Sequence, residues 1–236
     1  MDIIKSKLRA KQSITVLTGA GISAESGVPT FRGSDGLWKN FRPEQLATLE
    51  AFRANPRLVW EWYDWRRKLI KPIKPNPAHY ALVEIEAQTE QFTLITQNID
   101  GLHDKAGSQN ILEIHCNIWK VQCTKCQHLS HNSEVPIQIL PTCEQCGGLL
   151  RPKVVWFGEV LPAKELETAK FAATHCDLMF IIGTSGLVQP AALLGVAGKQ
   201  AGAYVVEINI EQTPLSNIAD ETRIGKASDV LTDLLS

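Results

Sequence analysis

The chain has 236 residues, 44% hydrophobic and 21% charged, an ordinary globular composition with enough apolar material for a full core. A net charge of -1 excludes a strong global field for nucleic acid or membrane, and no run reaches the roughly 18 apolar residues of a membrane span. The opening MDIIKSKLRA has no apolar run of signal-peptide length and six cysteines are too few for a disulfide scaffold, so a soluble, reducing, cytoplasmic setting is expected.

In chain order, apolar and β-branched runs predict strands at SITVLT (13–18), QFTLITQN (91–98), NILEIH (110–115), RPKVVWF (151–157), LMFIIGTS (178–185) and AYVVEIN (203–209). Helical patterns lie between them at PEQLATLEAFRAN (43–55), PRLVWEWYDWRRKLI (56–70), PAHYALVEIEAQTE (77–90), PAKELETAKFAATHC (162–176) and PAALLGVAGKQAG (190–202). A proline opening suits the first helical position. Near-continuous apolar strands alternating with helices imply a Rossmann-like, doubly wound α/β fold on a parallel sheet. The stretch from Cys123 to Gly148 breaks the alternation and reads as a small insert.

The first strand runs into Gly19-Ala20-Gly21-Ile22-Ser23-Ala24, a G-x-G-x-x-A turn of the kind that brings backbone N–H groups to a pyrophosphate at a helix N-terminus. A plain strand–helix turn is the alternative. A dehydrogenase would continue the helix and place an acid about 20 residues on. Here Gly27 and Pro29 stop the helix, and Thr30-Phe31-Arg32-Gly33 follows as a loop suited to folding over a cofactor. A ribose partner must then come from another strand end, either Gly183-Thr184-Ser185 or Asn209.

The second strand ends in Gln97-Asn98-Ile99-Asp100, an amide and carboxylate rim in which Asn98 or Asp100 could equally cap the next helix. Of six histidines only His115 follows a core strand at its carboxyl end, which makes it the general-base candidate, with a structural histidine as the alternative. Cys123-x2-Cys126-x16-Cys143-x2-Cys146 fits a four-cysteine Zn²⁺ site closely. Four thiolates leave no open coordination position, so one structural zinc is expected. EVPIQILPT between the two pairs shows no basic or aromatic face for nucleic acid.

Together these stretches resemble the sirtuin family, the NAD-dependent protein-lysine deacylases. The likeness runs from GAGISAESGVPTFRG (19–33) through TQNIDGLH (96–103), His115, the four cysteines and VVWFGE (154–159) to GTSGLVQPA (183–191) and EINIE (207–211). The resemblance implies a Rossmann-like large part at 1–35, 76–118 and 152–236. It implies a small module at 36–75 (helical, acyl pocket) and 119–151 (zinc ribbon), with NAD and acyl-lysine meeting in the cleft. It assigns the NAD site to Gly19, Ala20, Gly21, Ala24, Thr30, Phe31, Arg32, Gln97, Asn98, Asp100, His115, Gly183, Thr184, Ser185, Asn209 and Ala227. Asp100 would hold the carboxamide, with His115 and Asn98 catalytic. Val154, Trp156, Phe157, Gly158 and Glu159 would belong to a strand pairing with the substrate, a protein bound in extended form. The implied reaction has the acyl oxygen attack the ribose carbon as nicotinamide leaves, with His115 then taking a proton from a ribose hydroxyl. The products are free lysine, nicotinamide and O-acyl-ADP-ribose. An ADP-ribosyltransferase using the same cleavage, a dehydrogenase and a non-enzymatic zinc module are the competing readings.

Two local features complete the reading. The family has glycine after the catalytic histidine, where this chain has Cys116; a positive φ there would cost cysteine roughly 1–2 kcal/mol. In residues 56–70, a helical wheel puts Leu58, Trp62, Trp65 and Leu69 on a core stripe, Tyr63 and Arg66 beside each other, and Asp64 and Arg67 toward solvent, with a snorkelling arginine, stem packed and head in water, as the alternative for Arg66. Within sirtuins, Tyr63 and Arg66 resemble the pair of the class III subgroup, which removes succinyl and malonyl groups. Ala47 would leave room for the longer acyl chain.

Overall fold

The computed structural model describes residues 3–10, 13–31, 36–37 and 42–236. Its strands are β1 (Ile14–Thr18), β2 (Phe92–Thr96), β3 (Ile111–Glu113), β4 (Cys116–Cys123), β5 (Leu129–His131), β6 (Leu150–Val154), β7 (Leu178–Ile182), β8 (Tyr204–Asn209) and β9 (Glu221–Ile224). Its helices are α1 (Ile3–Arg9), α2 (Gly21–Ala24), α3 (Pro43–Leu46), α4 (Leu49–Ala54), α5 (Pro56–Ile70), α6 (Pro77–Gln88), α7 (Leu102–Ala106), α8 (Ala163–Thr174), α9 (Ala191–Gln200) and α10 (Ala227–Leu235).

The main sheet is parallel, in the order β3-β2-β1-β7-β8-β9. Every residue of β1 and β7 is buried, as central strands covered on both faces require. Alternate residues serve opposite cores. Val16, Leu94 and Phe180 pack with α1, α6 and α10, whereas Leu17, Ile95 and Ile181 pack with α8 and α9. The strand order reverses between β1 and β7, which is where an open α/β sheet binds its ligand.

A second, antiparallel sheet has the order β5-β4-β6. With α3, α4 and α5 it encloses a separate core built on Phe52, Trp60, Tyr63, Ile118, Leu150 and Trp156. The RPKVVWF run therefore belongs to the small sheet and not to the parallel one. The seam drawn after residue 118 falls inside β4. CNIWKVQC mixes polar with apolar residues and carries a register shift, so a search for continuous apolar runs passes over it. Charged β9 (ETRI), at the sheet edge, escapes the same search.

The helix expected over 43–55 divides at Ala47, because the Thr48 hydroxyl caps α4 by accepting the Ala51 N–H at 3.0 Å. The stripe assigned on α5 needs correction. Leu58, Trp65 and Leu69 are 41%, 36% and 37% exposed, while Arg67 is 0% exposed and Asp64 is buried. The buried polar face is satisfied by β4 and by the segment that follows β5. Arg67 donates twice to the Ile118 carbonyl (3.0 and 2.7 Å) and once to Asn132 Oδ1 (2.7 Å), and Asp64 accepts the Ile137 N–H at 2.8 Å. Partners of this kind cannot be read from a helical wheel.

Candidate active site

At the switch point the ends of β1 and β7 interlock as bare backbone. Gly19 donates to the Ile182 carbonyl at 2.9 Å and Gly21 to the Gly183 carbonyl at 2.8 Å. A Cβ at Gly19 or Gly21 would come within 2.7 Å of residue 183, and one at Gly183 would sit 2.5 Å from the Ile22 nitrogen. Gly183 is also at φ +60°. Only glycine permits this approach, and the resulting cradle fits the phosphates of a dinucleotide such as NAD. Gln97 Nε2 donates to Thr184 Oγ1 at 3.0 Å and Asn209 Nδ2 to the Thr184 carbonyl at 2.9 Å, so three strand ends close around the cradle. Ser185 and Ala20 are half-buried beside it. Ala24 is exposed at the end of α2, and Ala227 is buried at the start of α10, where Glu25 accepts the N–H and hydroxyl of Ser228. Thr30 and Phe31 are half-buried past the early end of α2, and Arg32 lies outside the described residues.

Asn98 is buried and donates through Nδ2 to the Gly19 carbonyl (3.1 Å) and to Ser23 Oγ (3.2 Å), which locks its amide against the glycine turn. Asp100 is buried and, one residue before the N-cap Gly101, accepts the Leu102 N–H that opens α7 at 2.8 Å, while burial raises its carboxyl above its ordinary value. His115 lies two residues past β3. Its Nδ1 is 2.9 Å from the Gln97 carbonyl, and since a carbonyl only accepts, Nδ1 carries the proton and Nε2 has the free lone pair. Burial holds this imidazole below its ordinary pKa, partly offset by the Gln97 bond, so it is neutral at pH 7. Cys116 sits at φ +61°, the left-handed conformation that favours glycine, and burial pushes its thiol up.

On α5, Arg66 is 3% exposed and its Nη1 has no hydrogen-bond partner among the described residues, although the Asp100 carboxyl is near enough to favour its charge. Its guanidinium lies 4.6 Å from the Phe31 ring centre and 5.4 Å from that of Trp62. Burial lowers it to about 10, which leaves it charged at neutral pH. The Tyr63 hydroxyl accepts the Trp156 Nε1–H at 2.9 Å, and burial pushes it up to about 12. Ala47 is buried, and its carbonyl accepts the Phe157 N–H at 2.9 Å.

The extended run expected through Glu159 stops at Val154. Val155 donates to the His115 carbonyl (3.1 Å) and Trp156 to Glu159 Oε2 (2.9 Å), which folds 156–159 into a turn with Gly158 at φ +84°. Arg151 fixes that turn with two bonds to Glu159 (2.6 and 2.9 Å) and stacks 3.6 Å over the Trp156 ring. Arg151 is a residue that sequence reading missed, and the i, i+8 spacing to Glu159 gives no signal for it. Ser23, His79 and His103 were missed as well. The two histidine rings pack at 4.8 Å beneath the glycine turn, His103 bonds Thr18 at 3.0 Å, and His79 lies 3.5 Å from Ser23.

The sulfurs of Cys123, Cys126, Cys143 and Cys146 lie within 4.8 Å of one another, with pairs at 3.5 and 3.7 Å. Tetrahedral Zn²⁺ with bonds of about 2.3 Å needs sulfurs about 3.8 Å apart, so the cluster fits a structural zinc. Among the described residues no helix is long and apolar enough to cross a membrane.

Comparison with known proteins matches these features. The model of the Sir2 family matches residues 19–190. A protein of Aquifex aeolicus named NAD-dependent protein deacylase is 54% identical over 217 residues, 92% of this chain and 91% of that protein. One of the same name from Pyrococcus furiosus is 52% identical over 237 residues, covering 98% and 95%. The crystal structure of a Sir2 homolog–NAD complex superposes with a TM-score of 0.92 at 45% identity, covering 100% of this chain and 93% of that one. A structure described as the structural basis of sirtuin substrate affinity gives 0.90 at 30% identity, with 100% and 98% covered. With the glycine cradle, the His115 carbonyl bond and the four-sulfur cluster in place, these matches show that the chain belongs to the Sir2 family.

Proposed function

We propose that this protein is an NAD-dependent protein-lysine deacylase that removes acidic acyl groups, succinyl and malonyl, as well as acetyl. One observation carries the acyl assignment: the buried, charged guanidinium of Arg66, whose Nη1 lacks a partner among the described residues, stands one helical turn from Tyr63. A cation in that position calls for an anion. A distal carboxylate can take two parallel bonds from the guanidinium.

NAD supplies the ribose carbon that receives the acyl oxygen and the hydroxyl that then attacks the acyl carbon. Gly19, Gly21 and Gly183 hold its phosphates, and Gln97, Thr184, Ser185 and Asn209 orient its ribose and adenine. Phe31, with Arg66 stacked upon it, links the cofactor loop to the acyl pocket. Asn98 and Asp100 form the rim at the nicotinamide end. His115 accepts a proton at Nε2 while its Nδ1–H stays on the Gln97 carbonyl, so the ring is oriented before substrate arrives. The turn at 156–159 is the lip for an extended acyl-lysine protein segment. The large part comprises 1–35, 76–115 and 155–236, and the acyl and zinc segments 36–75 and 116–154, so that β4 and β6 stay together in the small sheet. Cys116 and Cys176 form no disulfide, and Cys123, Cys126, Cys143 and Cys146 serve as zinc ligands instead of disulfide partners, which supports a reducing, cytoplasmic setting.

The test is nicotinamide release from NAD with matched acetyl-, malonyl-, succinyl- and long-chain acyl-lysine peptides, with products read by mass spectrometry. Acidic acyl peptides should turn over and yield free lysine and O-acyl-ADP-ribose. ADP-ribose attached to protein instead would replace the deacylase reading with a transferase one, and turnover of acetyl alone would remove Arg66 from substrate recognition.

A further inference from the structure

The bond between Trp156 and Tyr63 has a fixed polarity. An indole nitrogen only donates, so the Tyr63 oxygen is the acceptor at 2.9 Å. The hydroxyl hydrogen must then point elsewhere, and among the described residues it has no acceptor. Arg66, the neighbouring charge, is itself donor-only and cannot receive it. The indole is the fixed partner of the two. It is 2% exposed, Arg151 stacks 3.6 Å above its ring, Phe52 lies against it at 5.3 Å, and its backbone N–H is held by Glu159.

We propose that Trp156 is a positioning residue for acyl selectivity: its indole N–H occupies a lone pair of the Tyr63 hydroxyl and so directs the hydroxyl hydrogen into the pocket beside Arg66. The Tyr63–Arg66 pair then presents donors alone, a match for the acceptor-only oxygens of a carboxylate and a mismatch for a methyl. This rests on the acidic-acyl reading above. The small sheet thereby sets the chemistry of a helix-borne pocket through one side-chain bond.

A double-mutant cycle tests it, reading the ratio of kcat/KM for succinyl-lysine over acetyl-lysine in the wild type, Trp156→Phe, Tyr63→Phe and the double variant. Trp156→Phe should lower the ratio about 3- to 10-fold, the range for one lost hydrogen bond, chiefly through the succinyl KM. In the Tyr63→Phe background the same change should move the ratio by less than about 2-fold. An unaltered ratio in Trp156→Phe, or an equal fall in both backgrounds, overturns the proposal. Should Trp156→Phe not fold, Arg151→Met, which unloads the other face of the same indole, is carried through the same cycle with the same two outcomes. A wild type without succinyl turnover sinks the acidic-acyl reading and this inference together; a wild type that has it, with a flat cycle, sinks the inference alone.

Discussion

At the end of the parallel sheet, Gly19, Gly21 and Gly183 hold their places through backbone bonds and through the absence of any Cβ. Across the cleft, Tyr63 and Arg66 stand on a helix tied down by buried charges, with Arg67 on the Ile118 carbonyl, Asp64 on the Ile137 N–H, and a four-sulfur cluster beyond. The first half is fixed at its glycines by steric fit, which salt does not relieve, and the two histidines beneath the turn tie it to pH. The second depends on ionised groups and on a metal, so it should fail first when charge or zinc is removed. The proposed cofactor cradle thus sits on the robust half and the proposed acyl-selecting pair on the conditional one.

The largest expected effect comes from the metal. Cys143→Ala should abolish zinc binding and unfold the small module, since a structural Zn²⁺ site contributes on the order of 10 kcal/mol. Amide exchange should rise over β4–β6 and α5 while the main sheet stays protected. Uniform loss of protection, or a fully active zinc-free protein, would break the contrast between the halves. His115→Ala should come next, lowering turnover about 10²- to 10⁴-fold while NAD still binds. Near-normal turnover in that variant would remove His115 from the mechanism.

A pH effect should arise under the glycine turn. Burial lowers His79 to about 4 and His103 well below its ordinary value, so between pH 6.5 and 4 the unfolded chain binds protons that the folded one does not. Stability is then fully present above about 6.5 and falls with pH, on the order of 3 kcal/mol for His79, partly offset by the raised carboxyl of Asp100. Urea midpoints across this range should show a shallower slope in His79→Gln; parallel slopes would refute the assignment. The smallest effect concerns Cys116. With its φ of +61°, Cys116→Gly should stabilise the protein by about 1 kcal/mol in urea melts, and destabilisation would mean the thiol packing outweighs the strain.

Much of the nucleotide half was legible in the sequence, because its signals are local: continuous apolar strands, glycines at fixed spacing, and polar residues at strand ends. The four cysteines were legible for the same reason. The resemblance to a known family supplied the acyl pair and the roles at the rim. What stayed hidden depends on partners distant in the chain. Arg67 was placed in solvent because nothing nearby announces the Ile118 carbonyl, 51 residues on. His79 and His103 lie 24 residues apart in the chain, and only the fold brings their rings together. Strand β4 is interrupted by Asn117, Lys120 and Gln122 and so does not register as a continuous apolar run, and the Ala47 break follows from a cap bond, not from composition.

The central claim is that the charge of Arg66 selects the acyl group. It is tested most directly by kcat/KM on succinyl- and acetyl-lysine peptides for the wild type and Arg66→Met. Losing a charged hydrogen bond corresponds to about 1.5–3 kcal/mol, so the succinyl-to-acetyl ratio should fall about 10- to 150-fold, mainly through the succinyl KM. Equal losses on both substrates would show instead that Arg66 supports the fold and takes no part in choosing the substrate.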